Sequence, residues 1–299
     1  MKILLLGANG QVGWELQRSL APLGNLVACG RADADLSDLD RLRAVVRGAN
    51  AAVIVNAAAY TAVDKAEVEP DLAMRVNASA VGLLAEEAAR ARALLVHYST
   101  DYVFDGRKPG PYAEGDAANP QSLYGLSKFR GEEAIRAASA RHLVFRTSWV
   151  YAPRGKNFAR TILDLARTRS GLTVVADQVG APTSAELIAD VTAQVLNRLA
   201  GSDELLGTYH LTAAGETSWH AYAQVLLRLA AARGYALQAT ADKVLPIATA
   251  DYPTPAKRIA NSRLATDKLR AAFGLTLPPW DAQLGRFLEE LPHEGANPS

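Results

Sequence analysis

Short apolar runs alternate with longer alanine-rich stretches through the first half of the chain. The runs show no period-two alternation and fall at 2–6, 25–29, 52–56, 94–98 and 143–147. Runs of this kind are typical of buried strands in a parallel sheet that helices cover on both faces. We therefore predict an α/β fold built on a doubly wound parallel sheet, with ligands bound at the carboxyl ends of its strands.

A glycine-rich turn follows the first apolar run. The segment GANGQVG places Gly7, Gly10 and Gly13 between that strand and an amphipathic, helix-like stretch. Residues without a Cβ let backbone amides approach a pyrophosphate, which then lies at the positive N-terminus of the helix. A tight turn is the simpler explanation of three glycines, but the order strand, glycine turn, helix favours a Rossmann-type dinucleotide site.

The second apolar run ends at Gly30 and Arg31. NAD-specific proteins usually present an acidic side chain to the ribose 2′-hydroxyl at this point. An arginine here can bind a 2′-phosphate, and no carboxylate repels that phosphate. We therefore favour NADPH as the cofactor, with NADH as the alternative if Asp33 or Asp35 reaches the ribose.

Three small residues, Ala57, Ala58 and Ala59, follow Asn56 at the end of the third apolar run. Their small side chains would let the ribose and nicotinamide of a cofactor lie against the backbone. A helix cap followed by helix-favouring alanines is the alternative.

The segment from 97 to 128 carries the candidate chemistry. Thr100 follows the fourth apolar run, and Tyr124 and Lys128 are one helical turn apart. Since a nearby ammonium favours phenolate, we expect Lys128 to lower the pKa of Tyr124 from its ordinary value of about 10. Thr100 would offer its hydroxyl to the substrate oxygen that Tyr124 protonates. A tyrosine packed on a lysine stem at a helix surface is the alternative for the pair.

The pattern becomes mixed beyond about residue 151. It predicts short strands at 172–175 and 208–211, a helix at 220–233 and a proline-rich loop at 251–255. We assign this half to a smaller mixed α/β lobe. The predicted division is a dinucleotide-binding domain at 1–150 and a mainly substrate-binding lobe at 151–299, from which some segments can return to the first domain.

Composition limits the classes of partner. The 299 residues are 49% hydrophobic with a net charge of +1, so the chain can bury a large core but lacks the basic field that nucleic-acid binding requires. Cys29 is the single cysteine, which excludes an internal disulfide and fits a reducing compartment. The N-terminal apolar run is too short for a signal sequence or a membrane span. We predict a cytoplasmic protein without nucleic-acid or membrane partners.

Taken together, the motifs resemble the extended short-chain dehydrogenase/reductase family, in particular its reductases of nucleotide-linked sugars. The segments that carry the resemblance span nearly the whole chain: GANGQVG, NAAAYTAVDKAE, HYSTDYVFDG, YGLSK, FRTSWVY, DQVGAPTS and YPTPAKRIANSRL. STDYVFDG and DQVGAPT are far more specific than the glycine turn. The resemblance implies that NAD(P)H reduces C4 of dTDP-4-dehydro-L-rhamnose to give dTDP-L-rhamnose, the last step of dTDP-rhamnose biosynthesis.

The resemblance also implies roles for individual residues. Tyr124 would protonate the new alkoxide, Lys128 would orient the nicotinamide ribose, and Thr100 would tune the reacting centre. The sugar would contact Asp101 and Trp149. Positions that match cofactor contacts are Gly10, Gln11, Val12, Asp35, Leu36, Ala59, Tyr60, Thr61 and Tyr98.

A cluster of basic residues is a candidate site for the pyrophosphate of the nucleotide. Lys257, Arg258 and Arg263 lie in or just after the proline-rich loop, where a pyrophosphate would need cations. We expect Arg258 to contact the substrate, and a solvated basic cluster is the alternative.

Some members of this family dimerise through a Mg²⁺ held by glutamates. Glu15, Glu186 and Glu290 stand at plausibly corresponding positions, and hard oxygen ligands suit this ion. The sequence has no self-contained ligand spacing, so three ordinary helix-surface carboxylates are the alternative. A Mg²⁺ site and a homodimer are therefore expectations that rest on the resemblance.

Three other functions remain as alternatives. A nucleotide-sugar 4,6-dehydratase would need a carboxylate pair where this chain has Asp101 and Tyr102, which disfavours dehydration. A 4-epimerase shares the tyrosine and lysine, but the STDYVFDG and DQVGAPT segments favour the reductase. A non-catalytic, dinucleotide-binding regulatory subunit would not need Thr100, Tyr124 and Lys128 together.

Overall fold

The computed structural model describes residues 1–138, 141–199 and 203–291. Its strands are β1 (Lys2–Leu6), β2 (Asn25–Cys29), β3 (Val53–Asn56), β4 (Leu94–Thr100), β5 (His142–Thr147), β6 (Val150–Tyr151), β7 (Leu172–Val175), β8 (Val179–Gly180), β9 (Thr183–Ser184), β10 (Gly207–His210), β11 (Thr217–Ser218) and β12 (Val244–Ile247). Its helices are α1 (Gln11–Leu20), α2 (Leu39–Ala49), α3 (Val63–Ala66), α4 (Pro70–Met74), α5 (Ala80–Ala91), α6 (Leu123–Ala137), α7 (Phe158–Thr168), α8 (Ala185–Arg198), α9 (Trp219–Ala232), α10 (Asp267–Phe273) and α11 (Leu284–Glu289). A π-helical turn, Arg75–Ser79, joins α4 to α5.

A six-stranded parallel sheet forms the centre of the fold, in the order β10-β5-β4-β3-β1-β2. All five strands predicted in the first half are present in it, which confirms the α/β fold with a doubly wound parallel sheet. The chain runs from β1 to β2 on one side and then crosses to β3 on the other. This reversal leaves a crevice at the carboxyl ends of β1 and β3, where ligands bind in such sheets.

Apolar layers cover both faces of the sheet. On one face, Leu5 and Val55 pack in a cluster with residues of α1 and α8. On the other face, Leu4 and Ile54 pack in a cluster with residues of α2 and α5. Neighbouring strand residues therefore enter opposite cores, which explains why the strands read as continuous apolar runs. Among the described residues, no helix combines the length and apolar character needed to cross a membrane.

The second lobe has a separate apolar cluster that includes residues of α7, α9 and α11. Beside it, β7 and β12 form a parallel pair. The strand predicted at 208–211 lies in the half that was assigned mainly to the substrate-binding lobe, from which some segments can return to the first domain. It is present as β10, which pairs with β5 at the edge of the central sheet. Helix α8 also packs on that sheet. Hydrophobic periodicity identifies a strand but carries no information on which sheet the strand joins.

A serine cap sets the start of helix α6. The Ser122 hydroxyl accepts a hydrogen bond from the Gly125 N–H at 3.2 Å, which satisfies one of the backbone donors at the start of the helix. Tyr124 therefore lies in the first turn of α6, and Lys128 follows one turn later on the face that packs against the sheet.

We expect Gly13→Ala to destabilise the fold, because a Cβ at this position would lie 2.0 Å from the Gly7 carbonyl oxygen. Forcing α1 away from the glycine turn should cost about 1–3 kcal/mol of unfolding free energy. Urea denaturation of the purified protein measures this cost.

Gly48→Ala in α2 is the matched control, since its Cβ would meet no atom within 4 Å. This change should stabilise the helix by about 0.5–1 kcal/mol. If both variants unfold at the same denaturant concentration as the parent protein, close packing at Gly13 does not limit the fold.

Candidate functional site

A cleft of about 800 Å³ opens at the crevice between β1 and β3. It brings together every predicted cofactor residue except Gly13. Those that line the cleft are Gly7, Gly10, Gln11, Val12, Arg31, Asp35, Leu36, Ala57, Ala58, Ala59, Tyr60, Thr61, Tyr98, Tyr124 and Lys128. Gly13 instead faces the turn behind the cleft, where its missing side chain lets α1 approach the Gly7 carbonyl.

The glycine turn fits a pyrophosphate. Gly7 has φ +80, and a Cβ on it would lie 2.6 Å from the Ala58 N, so only glycine suits this position. Helix α1 then begins at Gln11 without a hydrogen bond from a capping side chain and without an acidic residue in its first turn. Its N-terminal amides and positive dipole end are therefore suited to an anion in the cleft.

Arg31 lines the cleft just after the end of β2, and two carboxylates nearby are already engaged. Asp33 accepts a hydrogen bond from the Gly30 N–H at 2.9 Å. Asp35 accepts bonds from the Ser37 N–H at 2.9 Å and the Arg31 Nε at 2.9 Å, and the Ser37 amide is the main cause that lowers the pKa of Asp35 to about 2. Asp35 thus positions Arg31, whose side chain is 79% exposed.

A loop between β6 and α7 contributes cleft residues that the sequence analysis missed. Gly155 and Lys156 line the cleft beside the glycine turn. Two contacts with α1 hold the loop. Asn157 Nδ2 donates a hydrogen bond to Gln11 Oε1 at 2.9 Å, and the Arg154 guanidinium packs over the Trp14 ring, 3.5 Å from its centre. A glycine next to a lysine after a strand is common in loops, so the sequence offered only a weak signal for this cation.

Tyr124 lies where the cleft meets Thr100, at the carboxyl end of β4. Burial raises the pKa of the Tyr124 phenol to about 12, while a hydrogen bond with the Thr100 hydroxyl acts in the opposite direction. The Tyr102 ring packs edge-on against the Tyr124 ring, with 5.6 Å between their centres. The phenol is therefore protonated at neutral pH and held next to a second hydroxyl.

The expectation that Lys128 lowers the pKa of Tyr124 is wrong in this structure. Lys128 Nζ lies 2.6 Å from the Tyr98 carbonyl oxygen and 3.2 Å from His97 Nε2. It is directed at the strand rather than at the phenol, so burial dominates the pKa of Tyr124. Burial also lowers the pKa of Lys128 to about 8, although Glu132 raises it.

A buried ion pair holds α6 on the sheet. Glu132 accepts hydrogen bonds from Arg146 Nε at 2.9 Å and Nη2 at 2.7 Å, and from the Ser99 hydroxyl at 2.6 Å. Glu132 is fully buried and Arg146 is 4% exposed. Neither residue was predicted from the sequence, although a charged side chain in the apolar strand β5 could have drawn attention to Arg146.

Asn77 joins the cleft to α6 from the π-helical turn. Its side chain accepts a bond from the Tyr60 N–H at 2.9 Å and donates to the Tyr60 carbonyl at 2.9 Å. It also donates to the Ser127 hydroxyl at 3.0 Å. Turns of this kind occur frequently at functional sites, and this one fixes the cleft wall at Tyr60 against the helix that carries Tyr124.

Thr100 and Asp101 lie close to Tyr124, and none of the predicted substrate residues belongs to the set that lines the cleft. Asp101 is 3% exposed, and burial raises its pKa to about 6 although Ser262 and Thr100 hydrogen-bond to it. Trp149 has a φ angle of +50°, which is unusual for a bulky residue. Its ring stacks on the Trp219 ring, with 3.5 Å between the ring centres. Through Ser262 and Trp219, both side chains contact the second half of the chain.

Arg258 connects the two lobes. Its Nη2 donates to Asp64 Oδ2 at 2.7 Å, and Asp64 Oδ1 accepts a bond from the Ala256 N–H at 3.1 Å. Asp64 belongs to α3 next to the cleft, so the loop that carries Arg258 is tied to the dinucleotide side of the molecule. The structure thus brings Arg258 to the edge of the site but pairs it with a carboxylate.

The structure does not support the predicted Mg²⁺ site. Glu15, Glu186 and Glu290 do lie around one small pocket, but arginines are placed among them. Arg286 lies 3.0 Å from both Glu186 and Glu290, and Arg18 lies 3.7 Å from both Glu15 and Glu186. Within the described ranges, no group of histidine, cysteine, aspartate and glutamate side chains is arranged to hold a metal ion. The homodimer stays a prediction.

Known proteins resemble the chain along nearly its whole length. Residues 1–292 match the family model described as RmlD substrate binding domain. The chain is 48% identical over 299 residues to the dTDP-4-dehydrorhamnose reductase of Shigella flexneri, which covers 97% of this chain and 98% of that protein. For the dTDP-4-dehydrorhamnose reductase of Burkholderia thailandensis, identity is 49% over 296 residues, with 97% and 99% covered. The solved structure of dTDP-4-dehydrorhamnose reductase from Bacillus anthracis in complex with NADP has a TM-score of 0.87 at 33% identity, over 97% of this chain and 99% of that chain.

Proposed function

This chain belongs to the family described as RmlD substrate binding domain, and from that premise we propose that it is an NAD(P)H-dependent dTDP-4-dehydrorhamnose reductase. The reaction is reduction of the C4 keto group of dTDP-4-dehydro-L-rhamnose to the hydroxyl group of dTDP-L-rhamnose. The observation that carries the proposal is the position of Tyr124 and Thr100 at the end of a dinucleotide cleft, in a chain that is nearly half identical to curated reductases with this activity.

A nicotinamide dinucleotide, when bound, supplies the hydride. The residues that would hold it are the glycine turn with α1 at the pyrophosphate, the alanines after β3 and Lys128 at the nicotinamide ribose, and Arg31 at the adenosine ribose. The engaged carboxylates of Asp33 and Asp35 and the exposed guanidinium of Arg31 support NADPH as the preferred form. The Bacillus anthracis relative was solved in complex with NADP.

Tyr124 would act as the general acid. Because burial raises its pKa to about 12, the phenol carries its proton at neutral pH and can give it to the C4 oxygen as negative charge develops there. Thr100 would donate its hydroxyl to the same oxygen and keep the substrate carbonyl aligned with the phenol.

The sugar nucleotide would occupy the wall formed by Asp101, Trp149 and the loop with Arg258. The flat, stacked Trp149 and Trp219 rings offer apolar surface for the sugar, and Asp101 offers a buried carboxyl group as a hydrogen-bond partner. Arg258 could exchange its bond to Asp64 for one to a diphosphate, since both are oxyanions.

A single, buried cysteine suits a reducing compartment. It supports our proposal that the reaction takes place in the cytoplasm.

The decisive experiment follows absorbance at 340 nm with purified protein, NADPH or NADH, and dTDP-4-dehydro-L-rhamnose. Oxidation of the nicotinamide that depends on the sugar, with dTDP-L-rhamnose as product, supports the proposal. If the cofactor binds but the sugar causes no oxidation, the reductase assignment is wrong, and a 4-epimerase or a regulatory subunit should be tested next.

We expect Tyr124→Phe to fold and to bind NADPH but to lose about 10²–10⁴-fold in kcat, because general acid catalysis is commonly worth this much. Steady-state kinetics and a separate cofactor titration measure the two properties. Tyr209→Phe is the matched control, since it removes the hydroxyl of another buried tyrosine, one that bonds the Leu205 carbonyl away from the cleft. A kcat for Tyr124→Phe close to that of Tyr209→Phe would exclude Tyr124 as the acid.

We expect Arg31→Asp to shift the cofactor preference towards NADH, because it removes the cation that would meet a 2′-phosphate and adds a charge that repels it. The ratio of kcat/KM for NADPH to that for NADH should fall at least tenfold, with most of the change in KM for NADPH. Arg43→Asp, which changes an arginine of α2 that does not line the cleft, is the control. An unaltered ratio in Arg31→Asp would mean that other residues recognise the ribose.

A further inference from the structure

Asn56, His97 and Lys128 form a chain of hydrogen bonds beneath the cofactor cleft. The side chains come from β3, β4 and α6, and each residue is at most 2% exposed. Asn56 Nδ2 lies 3.2 Å from His97 Nδ1, and His97 Nε2 lies 3.2 Å from Lys128 Nζ. The proposed reaction assigns no role to His97, yet it is a direct neighbour of a residue in the catalytic machinery.

The backbone fixes the direction of this chain at its first member. Asn56 Oδ1 accepts a hydrogen bond from the Ala58 N–H at 3.1 Å, so the amide NH₂ group must face His97. That NH₂ group can only donate, and His97 Nδ1 therefore accepts. Burial holds the pKa of His97 well below its ordinary value, and any charge on Lys128 acts in the same direction, so the imidazole is neutral and carries its single proton on Nε2.

The proton on Nε2 points at Lys128. A lysine ammonium has three donors and no acceptor, whereas the neutral amine has a lone pair that can accept the Nε2–H. The same nitrogen still donates to the Tyr98 carbonyl, 2.6 Å away. All of these contacts are satisfied together when Lys128 is a neutral amine, and the ammonium form would oppose one donor with another.

The charges around Lys128 agree with this arrangement. On its own helix, Lys128 faces Tyr124, which is protonated. It also faces Glu132, which is paired with Arg146 of β5 and with Arg136 of α6. On β4 it faces the neutral His97, and the π-helical turn contributes only the uncharged Asn77, through Ser127. Glu132 is thus largely neutralised by its arginines, and burial lowers the pKa of Lys128 to about 8.

We propose that His97 is a positioning residue that acts through Lys128, its Nε2–H favouring the neutral amine over the ammonium while the lysine nitrogen stays against the Tyr98 carbonyl. Because Lys128 belongs to the site of the proposed reductase, the meaning of this role for turnover rests on the proposed function. The protonation state itself is a property of the protein and is measured without substrate. His97 thus sets the pH range over which Lys128 gains or loses its charge.

The test is NMR of the complete chain with labelled histidine and lysine. The ¹⁵N spectrum should show His97 as the Nε2–H tautomer, assigned by the signal that disappears in His97→Gln. The ¹³Cε signal of Lys128, assigned with Lys128→Met, should titrate with a midpoint near pH 8, as the lowered pKa of this lysine requires. His97→Gln should raise that midpoint by at least one pH unit, a tenfold change in the protonation equilibrium, because the amide can turn its oxygen towards the lysine.

His210→Gln is the matched control. His210 is the other histidine that is 0% exposed among the described residues, and it lies on β10 with its ring edge-on to Phe104. This variant should leave the Lys128 midpoint unchanged. A His97 signal from the Nδ1–H tautomer, or an equal midpoint in His97→Gln and the parent protein, would overturn the proposal.

A second variant keeps the proposal testable if His97→Gln fails to fold. In Asn56→Asp, the carboxylate can still accept from the Ala58 N–H but can no longer donate to the imidazole. The His97 proton should therefore move to Nδ1, and the Lys128 midpoint should rise. Retention of the Nε2–H tautomer in this variant would contradict the argument from Asn56, whether or not the protein reduces the sugar nucleotide.

Discussion

The Glu132–Arg146 ion pair, buried between α6 and the sheet, is the interaction on which the geometry of the site depends. Both partners are at most 4% exposed, and removing one partner of such a pair typically costs about 3–5 kcal/mol because the other charge is left unpaired. The pair therefore favours the register in which α6 docks on β4 and β5. That register places Tyr124, two turns before Glu132, next to Thr100 and directs Lys128 to the Tyr98 carbonyl.

A different constraint explains the small residues of the glycine turn and of the segment after β3. The backbones of these two segments approach each other closely. Gly7 and Gly13 have no room for a Cβ, and Gly7 lies against the Ala58 amide. Ala58 in turn donates to Asn56, whose amide orients His97. The backbone that shapes the cleft wall thus also fixes the direction of the hydrogen bonds below it, and cleft shape and lysine protonation have a common origin.

Local features of the chain were predictable from sequence, and features that depend on distant contacts were not. The apolar runs gave the bounds of β1 and β2 because parallel strands are buried on both faces, and the glycine spacing located the cleft because only backbone can approach there. The place of β10 in the sheet, the pairing of Glu186 with Arg286, and the partner of Lys128 all join residues far apart in the chain. One-turn spacing suggested that Lys128 faces Tyr124, but the sheet below α6 offered it better partners.

Burial moves the two titratable groups of the site towards their neutral forms. It raises the pKa of Tyr124 to about 12 and lowers the pKa of Lys128 to about 8. A neutral phenol keeps the proton that a general acid must give, so Tyr124 does not need a charged lysine beside it in order to be ready. What a charged lysine would do is stabilise the phenolate that remains after proton transfer. Because the pKa of Lys128 is about 8, a small change in its surroundings is enough to change its charge near neutral pH, whereas Tyr124 stays protonated until the alkoxide forms.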